Sequence, residues 1–106
     1  MNVYLDDKRP CPSGFHLART AKECITLIKS NKIATLSLDY NLGHGNPTGY
    51  EVVKYMIANH LYPRKIIIHS ASAFGRKRMF KLLQKHKPQQ VSIYIRPALQ
   101  AYTKQE

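Results

Sequence analysis

Four apolar runs in this chain each stop at a polar residue. Leu5 is followed by Asp6 and Asp7, Leu38 by Asp39, Ile68 by His69 and Ser70, and Ile95 by Arg96. The runs are short and rich in β-branched residues, and three consecutive isoleucines, Ile66 to Ile68, are hard to place outside a buried sheet. Strands covered on both faces read this way, with little polar alternation. The segments between them have helical periodicity. Thr20 to Asn31 opens with the capping-box pair Thr20 and Glu23 and carries Ala21, Cys24, Ile25 and Ile28 on one stripe. Tyr50 to His60 repeats the pattern with Val52, Val53, Met56 and Ile57, with Thr48 or Gly49 as its N-cap region. Arg76 to His86 does so with Met79, Phe80, Leu82 and Leu83.

Strands alternating with helices of this length predict a parallel sheet with helices on both faces. Phe15 to Ala18 adds a second short strand, and Val91 to Ile95 is the last. The connections are a Pro-rich loop from Asp7 to Gly14, a glycine-rich loop from Leu42 to Gly49, and a loop from Ala71 to Gly75. The tail, Ala98 to Glu106, is expected to form one or two helical turns. A chain of 106 residues forms one domain, residues 1–106, around one core.

Ligands of such folds bind beyond the carboxyl ends of the strands, where all the polar run-ends fall. Asp6 and Asp7 are two of six acids in a chain with 17 Lys and Arg. With Asp39 they suit a hard cation held by oxygen ligands, or acid–base work. The plainer reading is a set of turn or cap carboxylates. His69, with an ordinary pKa of about 6.5, is placed as a general acid or base or as a satisfied strand-end histidine. Ser70 and Ser72 offer hydrogen bonds to phosphate oxygens. Arg9, Arg76 and Arg96 are candidate phosphate clamps, because guanidinium meets phosphate in a bidentate fork. Arg76 stands at the expected start of a helix, whose free N–H groups favour anions. His44, in the glycine loop, is a candidate mobile acid or base, and Tyr40 either stacks on a base or packs beneath the loop.

The net charge of +11 favours anionic partners. It is uneven: Val52 to Gln105 holds 11 Lys or Arg and no acid. The basic segment Arg76 to Lys81 also suits nucleic-acid phosphates, although a charged outer helix face gives the same pattern. No helix-turn-helix, zinc-finger or dinucleotide fingerprint accompanies it. There is no apolar run of membrane-spanning length, so no membrane partner is expected. The N-terminal run has no signal-peptide pattern. Cys11 and Cys24 form neither a disulfide framework nor a zinc pattern, although one disulfide stays open. A reduced, cytoplasmic setting is expected.

Leu5-Asp6-Asp7, then Asp39, Ser70 and Arg96-Pro97, resemble response-regulator receiver domains. That resemblance implies paired acids holding Mg²⁺, a central Asp39 that meets a phosphoryl group, a serine contacting it, and a basic residue before proline closing the site. A closer resemblance is to the cyclic-phosphate processing receiver domains. It rests on Leu5-Asp-Asp-Lys-Arg-Pro-Cys-Pro12, Ser37-Leu-Asp-Tyr-Asn-Leu-Gly43, Gly49-Tyr50, Ile68-His-Ser70 and Gly75. The fold implied is a small doubly wound parallel five-stranded sheet, receiver-like and flavodoxin-like. The short spacing from Asp7 to Asp39 implies that the Pro-rich loop replaces the first helix.

The activity implied is metal-dependent hydrolysis of a cyclic phosphate or nucleotide phosphodiester. Asp39, His69 and Asp7 would be catalytic. Asp6, Asp7 and Asp39 would hold Mg²⁺ or Mn²⁺, and Arg9, Ser70, Ser72, Arg76 and Arg96 would bind phosphate. The alternative is a non-catalytic receiver-like domain binding a cyclic nucleotide, a nucleic acid or a protein. The sequence departs from the family pattern at Tyr40, usually His, and at Asn41, usually Asp. The Asn expected near Ser72 and Ala73 is absent, and Arg96 stands where receivers carry Lys.

Overall fold

Val3 and Leu5, Leu36 and Leu38, and Ile66 and Ile68 face the same way from three neighbouring strands, and all six are fully buried. They floor the core in the computed structural model, which describes residues 1–96. The elements are β1 (Asn2–Leu5), β2 (His16–Ala18), α1 (Ala21–Ser30), β3 (Thr35–Leu38), α2 (Gly49–Asn59), β4 (Lys65–Ile68), α3 (Ala73–His86) and β5 (Ser92–Ile95). Every strand pair is parallel, in the order β2-β1-β3-β4-β5. This is the doubly wound, receiver-like sheet, with three flanking helices. The tail after Pro97 lies outside the described residues.

The winding direction explains where the helices go. From β2 the chain steps rightward to β3, β4 and β5, and each step is made by a helix. Right-handed crossovers in one direction place their helices on one face, and α2 accordingly packs against both α1 and α3. Cys24, Ile28, Val52, Val53, Met56, Met79 and Leu83 fill the space between these helices and the sheet. The opposite step, β1 to β2, would carry a helix on the other face. Here the Pro-rich loop makes it, so among the described residues that face has no helix. Its central row, Tyr4, Ser37, Ile67 and Tyr94, is more polar.

One boundary differs from the sequence reading. The segment read as a loop to Gly75 already contains the first turn of α3, capped by Ser72 Oγ, which accepts the Gly75 N–H at 2.9 Å. Arg76 is therefore inside the helix, not at its free end. At α1, Thr20 caps as expected, accepting the Glu23 N–H at 3.1 Å, while Glu23 reaches back to the N–H of Arg19 at 2.7 Å.

Candidate functional site

The parallel ladder continues one residue past the strands. The Asp6 N–H donates to Ala18 O at 3.0 Å, Asp39 to Leu5 O at 3.0 Å and His69 to Leu38 O at 2.9 Å. Alternation then sends all three side chains to the side of Tyr4 and Ser37. Strand order reverses between β1 and β3, so Asp6 and Asp39 flank the crevice where such sheets bind ligands.

Asp6 is completely buried, and every lone pair it has is used. Oδ1 accepts the backbone N–H groups of Lys8 and Arg9, both at 2.9 Å. Oδ2 accepts Arg9 Nη1 at 2.8 Å and pairs with His69 Nε2 at 3.0 Å. Burial works to raise its pKa, but the bonds from His69, from the Arg9 and Lys8 amides and from the Arg9 guanidinium outweigh it and hold the carboxyl well below the usual range. His69 is in turn fixed from behind. Its Nδ1 lies 2.7 Å from Ser37 Oγ, and its ring stacks on Tyr4 at 4.5 Å between centroids. Both ring nitrogens are thus engaged inside the protein. The Tyr4 phenol, buried beside Asp6, is pushed up to about 12.

Asp39 stands differently. Its Oδ1 accepts the Tyr40 N–H at 2.8 Å, and Oδ2 has a longer contact, 3.3 Å, from Arg9 Nη1. Burial and then the charge of Asp6 raise its pKa, against opposing pulls from His69, Tyr40 and Arg9. The two carboxyls are therefore pushed in opposite directions: Asp6 is held as the anion, and Asp39 takes a proton more readily.

Above this row opens a cavity of about 510 Å³. Asp7, Lys8 and Arg9 reach it from the first loop, Asp39 and Ser70 from the strand ends, and Asn41 and His44 from the loop after β3. A cavity of about 580 Å³ at the opposite sheet edge, beside Met1 and Arg64, has no carboxylate lining it. Gly43, at φ 107°, takes the left-handed backbone that lets its loop pass close to Asp7. Arg19 pins the first loop, donating from Nη1 to the carbonyls of Asp6 at 3.1 Å and Arg9 at 3.0 Å.

The sequence-derived candidates fall into two groups. Asp6, Asp7, Arg9, Asp39, His69 and Ser70 come together, with His69 behind Asp6 rather than on the cavity wall. Ser72 is used as a helix cap. Arg76 Nη1 is bonded to Ser70 O at 2.8 Å, bracing the strand end, and Arg96 is exposed and outside the cavity lining. Tyr40 is buried beneath α3, its hydroxyl accepting from Arg78 at 3.0 Å, so position 40 does not face the cavity. Cys11 and Cys24 are free thiols. Sequence reasoning missed Lys8, Arg19, Tyr4 and Ser37. Counting alternate residues back from Asp6 and Asp39 points to the last two.

The model of the cyclic-phosphate processing receiver domain family matches residues 1–85. The chain belongs to that family. No curated protein matches it significantly. The match takes in every strand-end residue of this receiver domain except Arg96, which lies beyond it.

The family resemblance implies a divalent cation, and the donor set can be tested against one. Asp6, Asp39 and His69 each offer a ligand atom within 4.8 Å of the others, close enough to hold a divalent metal. Carboxylate oxygens suit Mg²⁺, and imidazole extends the choice to Mn²⁺. Oδ2 of Asp6 already receives Arg9 and His69, and Oδ2 of Asp39 receives Arg9, so a cation there would have to displace these partners. No helix among the described residues is long and apolar enough to cross a membrane.

Proposed function

We propose that this receiver domain hydrolyses a cyclic phosphate ester in the strand-end cavity, with the help of a divalent cation. The observation that supports this most is the joint presentation, in one cavity, of a carboxyl with a raised pKa and of groups able to meet a phosphate. Asp39 supplies the first, and Arg9, Lys8 and Ser70 the second. Asp6 and Asp39, with Asp7 on the cavity wall, are the residues that would hold the cation, and His69 backs Asp6. When bound, it would polarise a phosphoryl oxygen or a water.

The reaction adds water to phosphorus and breaks one ring P–O bond, leaving a phosphomonoester and a free hydroxyl. Asp39, whose pKa is raised by burial and by the charge of Asp6, takes the proton from water. Asp7 orients the water. Ser70 Oγ, which accepts the Ser72 N–H at 3.0 Å, keeps its own proton for a phosphoryl oxygen. Arg9 and Lys8 meet the charge that grows on the phosphoryl group. His69 acts as a positioning residue, fixing the charge and direction of Asp6. The His44 imidazole returns a proton to the departing alkoxide.

The test is turnover of 2′,3′-cyclic and 3′,5′-cyclic nucleotides with and without Mg²⁺ or Mn²⁺. Product that needs the metal and disappears in Asp39→Asn supports the reading. Unchanged turnover in Asp39→Asn sinks it. The burial of Tyr40 and the amide at Asn41, where the family carries two reactive groups, favour a second reading: a domain that binds a cyclic nucleotide, or a nucleic acid or protein through its basic face, without turning anything over. A thermal shift with cyclic nucleotide and no product would select it.

A further inference from the structure

Arg9 Nη1 donates to Oδ2 of Asp6 and to Oδ2 of Asp39 at once, at 2.8 and 3.3 Å. Those two oxygens are the ones a cation between the carboxylates would need. The guanidinium cannot be deprotonated in a protein, so the charge it places there is permanent. We infer that Arg9 is a resident counter-cation that competes with the divalent metal for Asp6 and Asp39, and that it leaves this seat for the substrate phosphate when the metal enters.

Three features of the site point this way. The Arg9 side chain is 21% exposed, whereas those of Asp6 and Asp39 are 0% and 7%, so it is the member of the trio with an open side. It also lines the cavity, so space for a second position lies beside it. Its backbone does not have to move, because the Arg9 N–H stays on Asp6 Oδ1 and Arg19 holds the Arg9 carbonyl. The exchange is therefore a side-chain swing about a pinned main chain. Guanidinium and phosphate match in a bidentate fork, which gives the displaced group a partner when an anionic ligand is present. Metal and phosphate then bind with positive coupling, each making the other's place.

This inference rests on the reading that the cavity takes a cation together with a phosphate, but its test does not involve turnover. Mn²⁺ is titrated into the wild-type chain, Arg9→Met and Arg9→Gln, with bound metal read by electron paramagnetic resonance or calorimetry. Both variants are expected to bind one Mn²⁺ about tenfold or more tightly than wild type, as removal of one adjacent positive charge implies. Inorganic phosphate should tighten Mn²⁺ binding to wild type more than to either variant. Equal or weaker Mn²⁺ binding in the variants overturns the inference. So does a failure of both variants to fold even when Mn²⁺ is supplied, since Arg9 would then be a pin that no metal replaces. Tighter Mn²⁺ binding in the variants, together with no nucleotide hydrolysis by the wild-type chain, would leave the exchange standing and remove only the proposed reaction.

Discussion

The ring of Tyr40 fills the place where a side chain at Gly75 would stand. A Cβ built on Gly75 would overlap Tyr40 Cγ, Cδ2 and Cβ, so the first turn of α3 rests directly on the ring. A Cβ on Gly49 would overlap the Asp39 carbonyl oxygen. Gly75→Ala is expected to cost about 1–3 kcal/mol, a typical penalty for overpacking, and less in a Tyr40→Ala background, where the obstacle is gone. Gly49→Ala should cost more, because a backbone carbonyl cannot turn aside. Urea unfolding of the two single variants and the Tyr40→Ala/Gly75→Ala cycle measures both. An equal cost of Gly75→Ala in the two backgrounds would contradict the contact.

The two buried carboxyls should leave opposite marks on acid stability. Asp6 titrates lower in the folded chain, so its contribution is complete above the unfolded value of about 4 and is lost as pH falls below it. Asp39 titrates higher when folded, so its contribution is complete below about pH 4 and fades as pH rises through its folded value. Asp6→Asn should therefore flatten the acid limb of a plot of urea midpoint against pH. Asp39→Asn should instead gain on wild type as pH rises above about 4. Parallel profiles for the two variants would refute the division between them.

Ser37 lies in the sheet, yet it belongs to the site. Ser37→Ala leaves His69 Nδ1 buried without its partner, at an expected cost of about 1–3 kcal/mol. Ser37→Thr should cost less if its hydroxyl keeps the bond. Chemical denaturation gives the stabilities. Imidazole nitrogen shifts in nuclear magnetic resonance should move at His69 in the alanine variant and leave His44 unchanged.

Cys24 is fully buried and its thiol is pushed up to about 12 by burial, whereas Cys11 is half-buried in the first loop. At mildly alkaline pH, a disulfide-exchange reagent should titrate one thiol in the folded chain and two in denaturant. Two fast thiols in the folded chain would place Cys24 outside the core.

The sequence made the strand ends legible, because each apolar run stops abruptly at its polar residue. It did not separate Asp6 from Asp7, since both stand side by side after Leu5. The pleat separates them: Asp6 shares the side of Tyr4 and is sealed under Arg9, while Asp7 opens to the cavity. The start of α3 was obscured by Gly75, a residue that usually marks a loop but here marks close packing within a helix. Arg19 could not be found from the sequence, because it acts on two main-chain carbonyls 10 and 13 residues away.

Finally, the row Asp6, Asp39 and His69 draws on residues separated by 30 to 63 positions along the chain. A slip of one residue in any of the three strands would turn its charged end toward the helices and bring an apolar residue into the polar row. A buried, unpaired carboxylate is among the costlier errors a fold can contain. The charged row thus works as a key for strand register: only the native alignment seats all three side chains with their partners.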